Sequence, residues 1–184
     1  MRIIGGTWRG KKLAELTGEQ TRPTSDRARE SLFNLLDNHL RKQNKIWGEI
    51  TFTDVFAGTG AVGVEAASRG AKHIFFFENN PLATKCLSAN ITGLKNITLY
   101  KDATKPPIAK EPSDIIFFDP PYAKGLWEKS LPFFLKSGWI DKNTLVVIET
   151  DKAEKSPVPL HFDELDRRSY GRNTFIFLSL TGEH

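Results

Sequence analysis

The sequence contains little cysteine and no long apolar run. Cys86 is the single cysteine among 184 residues, so an internal disulfide is excluded, which suits a reducing cytoplasm. No apolar stretch has the length of a membrane span and none resembles a signal peptide, which again predicts a cytoplasmic protein without a membrane partner. The four histidines are scattered without metal-ligand spacing. We therefore predict no metal site, and we expect a monomer.

Charge is distributed unevenly along the chain, whose net charge is +4. Residues 1–29 hold seven basic and three acidic side chains, so this segment carries the whole excess. The basic residues are Arg2, Arg9, Lys11, Lys12, Arg22, Arg27 and Arg29. A basic segment on a neutral body suggests contact with a polyanion such as nucleic acid. A solvated segment without a ligand would have the same composition.

The pattern DVFAGTGAVG at residues 54–63 organises the rest of the chain. A β-branched and aromatic stretch precedes it and good helix formers follow it, which predicts a strand, a glycine turn and a helix. The spacing Gly58-x-Gly60-x-x-Gly63 matches the dinucleotide fingerprint, and Glu78 follows where an acid would meet ribose hydroxyls. The pattern does not choose between a nicotinamide dinucleotide and another adenosine-containing cofactor. A turn that only packs strand against helix is the structural alternative.

Apolar runs alternate with helical patterns through the main body, which predicts a doubly wound, mostly parallel α/β sheet. The predicted strands are 51–55, 73–77, 97–100, 114–118 and 144–149, followed by a hairpin of 162–169 and 174–180 at the sheet edge. The predicted helices are 61–69, 81–92, 126–137 and an amphipathic helix from Thr24 or Ser25 to about His39. Residues 2–16 form a small hairpin or an ordered arm, in which Trp8 either stacks on a base or docks the arm.

A second motif, Asp-Pro-Pro-Tyr at residues 119–122, follows the apolar strand 114–118 directly. Ligands of parallel α/β sheets bind beyond the carboxyl ends of the strands, so this motif and the glycine turn should share one crevice. The prolines leave carbonyl acceptors without N–H donors, Asp119 adds carboxylate acceptors, and Tyr122 offers a flat face. Acceptors beside a stacking surface suit a planar group that carries an exocyclic NH₂.

These motifs resemble class I S-adenosylmethionine-dependent methyltransferases that act on an amino nitrogen, and more narrowly the RsmD family of 16S ribosomal RNA guanine-N2 methyltransferases. The narrower resemblance is carried by RIIGG with WRG in residues 2–10 and by RPTSDRARE with LFN in residues 22–34. It continues through residues 54–63, 68–71 (SRGA), 78–79 (EN) and 119–122 (DPPY). The tail YGRN at 170–173 aligns loosely, so the resemblance assigns no role to the C-terminal hairpin.

The resemblance implies a Rossmann-like sheet of seven strands, mostly parallel, with a C-terminal antiparallel hairpin and a small basic N-terminal extension. Residues 1–45 would form an RNA-contacting arm and helix, and residues 46–184 the methyltransferase domain. The implied methyl donor is S-adenosylmethionine, and the implied partner is 16S ribosomal RNA in the small subunit or an assembly intermediate. The implied reaction is methylation of a guanine at its exocyclic N2.

The resemblance also implies site residues. The cofactor-binding residues would be Asp54, Phe56, Gly58, Gly60, Glu78, Asn79, Asp102 and Ala103. The catalytic residues would be Asp119, Pro120, Pro121 and Tyr122. The residues that contact nucleic acid would be Arg9, Lys11, Arg22, Arg27 and Arg29. From the residues alone, Asp102 is equally well explained as a turn residue.

Three other functions compete with this interpretation. An N6-adenine nucleic-acid methyltransferase shares Asp-Pro-Pro-Tyr, but those enzymes usually carry a target-recognition segment for which this chain has little room. An NAD-dependent oxidoreductase explains the glycines and Glu78, yet it leaves Asp-Pro-Pro-Tyr and the basic segment unexplained, and no Tyr-x-x-x-Lys pair occurs. A non-catalytic RNA-binding module would not need the set of cofactor and acceptor residues.

Overall fold

The computed structural model describes residues 1–16, 25–120, 126–154 and 156–182. The helices are α1 (Asp26–Lys42), α2 (Ala61–Ser68), α3 (Pro81–Ile91) and α4 (Leu126–Lys136). The strands are β1 (Thr51–Val55), β2 (His73–Phe77), β3 (Ile97–Tyr100), β4 (Ile115–Phe118), β5 (Leu145–Asp151), β6 (Phe162–Tyr170) and β7 (Asn173–Leu180). Within these residues no helix is long and apolar enough to cross a membrane.

The strands form one seven-stranded sheet in the order β3-β2-β1-β4-β5-β7-β6. The first five strands in this order pair in parallel, and β7 pairs antiparallel with both β5 and β6. The order reverses between β1 and β4, which is where doubly wound sheets open a ligand crevice. The predicted fold class and the C-terminal hairpin at the sheet edge are confirmed.

Helix α1 begins where its capping residue predicts. The Ser25 hydroxyl accepts a hydrogen bond from the Ala28 amide at 3.1 Å, and Asp26 lies in the first turn, where the helix dipole favours an acid. Thr24, the alternative cap, lies outside the described residues. The buried face of the helix comprises Ala28, Arg29, Leu32, Phe33, Leu36 and Leu40. The helix ends at Lys42, slightly beyond the predicted end at His39.

The two faces of the sheet contribute to two separate hydrophobic cores. Along β4, Ile115 and Phe117 pack into one core, whereas Ile116 and Phe118 pack into the other. The first core also contains residues of α1, α2, α3 and the N-terminal segment, and the second contains residues of α4. Coverage on both faces explains why the strand sequences are continuously apolar.

The N-terminal segment is an ordered arm held against α2. The amides of Ile4 and Gly5 donate to the two carboxylate oxygens of Glu65, at 2.8 and 2.7 Å. Gly6 has φ +74°, and a Cβ there would lie 2.0 Å from the Ser68 carbonyl oxygen. The Trp8 amide donates to the Ser68 hydroxyl at 2.9 Å, and its ring packs against the first core. The structure thus agrees with the docking interpretation of Trp8.

Arg29 lies in the interior, with 0% of its surface exposed. Its Nη2 donates to the Arg2 carbonyl at 2.5 Å and to Asp26 Oδ1 at 3.0 Å. Its Nε lies 4.0 Å from Glu65 Oε2. The expectation that Arg29 contacts RNA is therefore corrected, because a fully buried guanidinium presents no surface to a phosphate.

Asn90 of α3 connects the arm to the glycine turn. Its side-chain amide nitrogen donates to the Ala14 carbonyl at 3.1 Å and to the Thr59 carbonyl at 2.9 Å. Its side-chain oxygen accepts from the Ala14 amide at 2.7 Å. The residue is only 5% exposed, so these hydrogen bonds satisfy a buried polar group and fix the two segments to one point.

We predict that Glu65→Gln lowers the free energy of unfolding by about 3 kcal/mol, because two arginines near Glu65 would lose a buried counter-charge. These are Arg29, described above, and Arg69, whose Nε lies 3.1 Å from Glu65 Oε1. Urea unfolding followed by circular dichroism measures the change. The control is Glu30→Gln on the exposed side of α1, for which we expect a change within about 0.5 kcal/mol. Equal losses in the two variants would contradict the role of the buried carboxylate.

Candidate active site

The glycine turn joins β1 to α2 through three residues with positive φ. Phe56 has φ +65°, Gly58 +56° and Gly60 +80°, and Gly60 is the N-cap of α2. A Cβ on Gly58 would find nothing within 4 Å, so the main chain there is open to a close approach. A Cβ on Gly60 would lie 2.3 Å from Leu87 Cδ1. The need for glycine at 60 therefore comes from backbone conformation and packing inside the protein.

Gly63 and Asp54 join the strand to the helix. A Cβ on Gly63 would lie 2.3 Å from the Phe76 ring, so only glycine fits there without a shift. The Gly63 amide donates to Asp54 Oδ2 at 2.8 Å. Asp54 is 2% exposed, and burial raises its pKa to about 7, although the Gly63 hydrogen bond opposes this rise. The charges of Asp119 and Glu78 raise the same pKa further.

Glu78 follows β2 and accepts a hydrogen bond from the glycine turn. Its Oε2 accepts from the Gly58 amide at 2.7 Å, and its Oε1 accepts from the Asn80 amide at 2.7 Å. Each carboxylate oxygen has a second acceptor site, so both can still accept from a hydroxyl group. Asn79 is exposed beside it, at the entrance to α3. This arrangement is compatible with the predicted contacts of Glu78 and Asn79 with an adenosine moiety.

Asp102 and Ala103 lie in the loop after β3. Asp102 Oδ1 accepts from the Thr104 amide at 2.8 Å and from its hydroxyl at 2.7 Å. These hydrogen bonds lower the pKa of Asp102. Ala103 is 5% exposed and belongs to the second core. The structure displays the turn role of Asp102, and contact with an adenine amino group stays a prediction for both residues.

Asp119 follows β4 next to the glycine turn. Its amide donates to the Val55 carbonyl at 3.2 Å, which fixes it at the carboxyl edge of the sheet beside the end of β1. Burial raises the pKa of Asp119 well above its ordinary value, and the charge of Glu149 adds to this effect. Pro120 is buried. Pro121 and Tyr122, the other two predicted catalytic residues, lie outside the described residues.

Glu149 is a site residue that the sequence interpretation missed. It is 2% exposed on β5, and its Oε1 accepts from the Asn173 side-chain amide at 2.5 Å. A single acid within the apolar run LVVIE was the available signal, but its neighbours depend on strand register. The structure brings Asp54, Glu78, Asp119 and Glu149 to the carboxyl edge of the sheet.

The predicted RNA-contacting residues separate into three groups. Arg9, Lys11 and Arg27 are exposed, whereas Arg29 is buried and Arg22 lies outside the described residues. Arg9 and Arg27 line one cavity of about 290 Å³ between the arm and the start of α1, together with Arg2, Ile3, Ile4, Gly10, Asp26 and Glu30. The Lys11 ammonium lies 5.9 Å from the centroid of the Trp8 ring. The arm and α1 thus present cations on a common surface.

A cavity of about 640 Å³ lies apart from this site at the opposite, amino edge of the sheet, where Thr51, Asp114 and Thr144 contribute to its wall.

No group of three or more His, Cys, Asp or Glu side chains in the part of the chain that the structure describes could hold a metal ion. The expectation of a metal-free protein stays a prediction.

Known proteins resemble this chain in sequence, in fold or in both. Ribosomal RNA small subunit methyltransferase D of Haemophilus influenzae is 32% identical over 179 residues, which cover 93% of this chain and 89% of the relative. The structure of the yhhF protein of Escherichia coli matches with a TM-score of 0.80 at 29% identity and covers 100% of this chain and 99% of its own. The ribosomal protein L11 methylase of Lactobacillus delbrueckii, at 17% identity and a TM-score of 0.60, covers 84% of this chain and 79% of its own and shares the fold.

The sequence model of the family described as Conserved hypothetical protein 95 matches residues 1–179. The match includes the arm, the glycine turn and the Asp-Pro-Pro-Tyr motif, and it confirms the resemblance to the RsmD family. The chain belongs to this family and has the class I methyltransferase fold.

Proposed function

We propose that this protein transfers a methyl group from S-adenosylmethionine to the exocyclic N2 of a guanine in 16S ribosomal RNA of the small subunit. The observation that carries the proposal is the glycine turn and Asp119 at one sheet edge in a chain of this family. The Haemophilus influenzae relative is named for ribosomal RNA of the small subunit. A cytoplasmic monomer is part of the same proposal.

The charge of the crevice favours a cationic donor over a nicotinamide dinucleotide. The pyrophosphate of a dinucleotide needs free backbone N–H groups at the glycine turn. Here the Gly58 amide donates to Glu78 and the Gly63 amide donates to Asp54. The Glu78 carboxylate and the ionised form of Asp54 would repel a pyrophosphate, whereas they would attract the ammonium and sulfonium charges of S-adenosylmethionine. The residues present therefore fit S-adenosylmethionine.

When bound, S-adenosylmethionine supplies an electrophilic methyl group on a sulfonium. Asp119 and the Pro120 carbonyl would accept hydrogen bonds from the two N–H bonds of the substrate NH₂, which aims the nitrogen lone pair away from them. Alignment and electrostatics are the contribution of the protein to such a step. Asp119 need not be a strong base, because the amine proton becomes acidic only as the N–C bond forms. Tyr122 would stack on the base after it leaves its own stack.

The exposed cations of the arm and α1 would hold the RNA. Arg9 and Arg27 line the same cavity, at a spacing that the docked arm fixes. Contacts of this kind bind phosphates without reading sequence, so they position the RNA and leave base selection to the crevice. The burial of Arg29 gives it a different part in the proposal, namely that of holding the arm in place.

The first test is incubation of the protein with labelled S-adenosylmethionine and small ribosomal subunits from a strain that lacks the enzyme. We expect label in N2-methylguanosine after nucleoside analysis. Label in N6-methyladenosine would establish the adenine alternative instead, and absence of label from RNA would overturn the proposal.

We predict that Asp119→Asn slows methyl transfer by about 10²–10³-fold while the cofactor still binds, because the amide no longer offers two anionic acceptors. Single-turnover transfer and calorimetric titration of the cofactor measure the two effects separately. Asp163→Asn removes the same charge from an exposed position on β6 and should leave both unchanged. Undiminished transfer by Asp119→Asn would refute the assigned role.

We predict that Arg27→Ala weakens RNA binding and makes the slope of log affinity against log salt shallower by about 0.7–0.9, the effect of one lost phosphate contact. Filter binding at several salt concentrations provides the measurement. Arg41→Ala, at an exposed position near the other end of α1, is the control and should keep the wild-type slope. An Arg27→Ala slope equal to that of the control would remove this surface from the proposal.

We predict that S-adenosylmethionine raises the melting temperature whereas NAD leaves it unchanged, because a ligand that binds only the folded state stabilises that state. Differential scanning fluorimetry at equal ligand concentrations provides the comparison. Stabilisation by NAD alone would favour the oxidoreductase.

A further inference from the structure

The register of β4 and β5 places two acids side by side. Phe118 pairs with Ile148 in parallel alignment, so the next residues along, Asp119 and Glu149, are also neighbours. Side chains alternate along a strand, and Phe117 of β4 and Val147 of β5 both pack into the first core. Asp119 and Glu149 each lie two residues further on and therefore point to that same face.

The C-terminal hairpin holds the second of these acids. Glu149 pairs with Phe175 across β5 and β7, and Asn173 lies two residues before Phe175, on the same face. The Asn173 side-chain amide donates to Glu149 Oε1 at 2.5 Å, and Glu149 is 2% exposed. A buried carboxyl group is thus fixed by an amide donor from a strand that contributes no other residue to the site described above.

Charged residues of both signs follow the strand ends around this pair. Lys152 comes after β5 and Arg172 directly before Asn173, and their backbones are joined by a hydrogen bond of 2.7 Å. Asp54 of β1 lies close enough that the charges of Asp119 and Glu78 both raise its pKa. Glu149 faces Asp119 from β5, and burial together with this charge raises the pKa of Asp119. Neighbouring carboxyl groups do not both ionise easily, and Glu149 is moreover buried.

We propose that Glu149 is a positioning residue of the methyl-transfer site, which Asn173 of the C-terminal hairpin fixes beside Asp119 so that the two carboxyl groups share one proton site. The inference rests on the proposed function. It gives the hairpin a role: Asn173, the first residue of β7, influences the ionisation of the acid that receives the substrate amine.

The step is balanced in charge and atoms. The N–C bond forms from the nitrogen lone pair, the C–S bond breaks, and its electron pair stays on sulfur, which becomes a neutral thioether. The methylated nitrogen then has a positive charge and must lose one proton. That proton passes to the ionised carboxylate of the Asp119 and Glu149 pair, and from there to water.

The test is the pH dependence of kcat in single-site variants of the full chain. Asp119 must be ionised to accept the amine, so the rate rises with pH through an apparent pKa that belongs to the pair. Glu149→Gln removes the neighbouring charge, and we expect the acidic limb to move to lower pH by about one unit or more. Asp163→Asn, which removes an exposed charge from β6, should leave the limb in place. A Glu149→Gln limb that coincides with the wild-type limb would overturn the inference.

A second readout needs neither activity nor a folded Glu149→Gln variant. In the wild-type protein, carbon-13 NMR of the side-chain carboxyl groups should show Asp119 and Glu149 titrating together in two steps. In Asp119→Asn, Glu149 should titrate in one step at lower pH. Independent single-step titrations in the wild type would refute the pairing even if methyl transfer is observed. Paired titrations in a protein without methyl transfer would leave the pairing intact and refute the proposed function.

Discussion

The hydrogen bond from the Gly63 amide to Asp54 joins β1 to α2 at the middle of the sheet, and the geometry of the crevice depends on it. It requires a helix that approaches the strand closely, which in turn requires a residue without a side chain beside Phe76. It also satisfies a helix N-terminal amide with an acid from inside the protein. Glu78 likewise accepts from the Gly58 amide in the turn before the helix. The turn therefore presents carboxylates, where many nucleotide sites present free amides.

The arm is held by the same principle of buried acids that accept from the backbone. Glu65 accepts from two arm amides, and Arg29 and Arg69 lie near its charge. Ile3 and Leu13 belong to the same hydrophobic core as Phe52 of β1, so the arm and the sheet share one core. A basic surface attached in this way keeps a constant position relative to the crevice, which is what the proposed RNA substrate would require.

Local patterns predicted most of the fold, because each depends on residues close together in sequence. The glycine turn, the Ser25 cap and the apolar strands are of this kind. Arg29 could not be assigned correctly, since its burial depends on Glu65, far along the chain. Glu149 was missed because its neighbour is set by strand register, which a single strand does not reveal. The fingerprint glycines suggested a ligand. The structure shows that Gly60 and Gly63 also have a packing reason, because a side chain there would collide with Leu87 and Phe76.

The side-chain amide of Asn90 donates hydrogen bonds both to Ala14 in the arm and to Thr59 in the glycine turn. A shift of either segment strains the hydrogen bond to the other, so the energies of the two segments are not independent. Thermodynamic linkage then applies: if a ligand at one segment changes the affinity for a ligand at the other by a given factor, the second ligand changes the affinity for the first by the same factor. The arm and the glycine turn are therefore positioned by the same buried side chain, so the two surfaces assigned to RNA and to the methyl donor in the proposed function share one point of attachment.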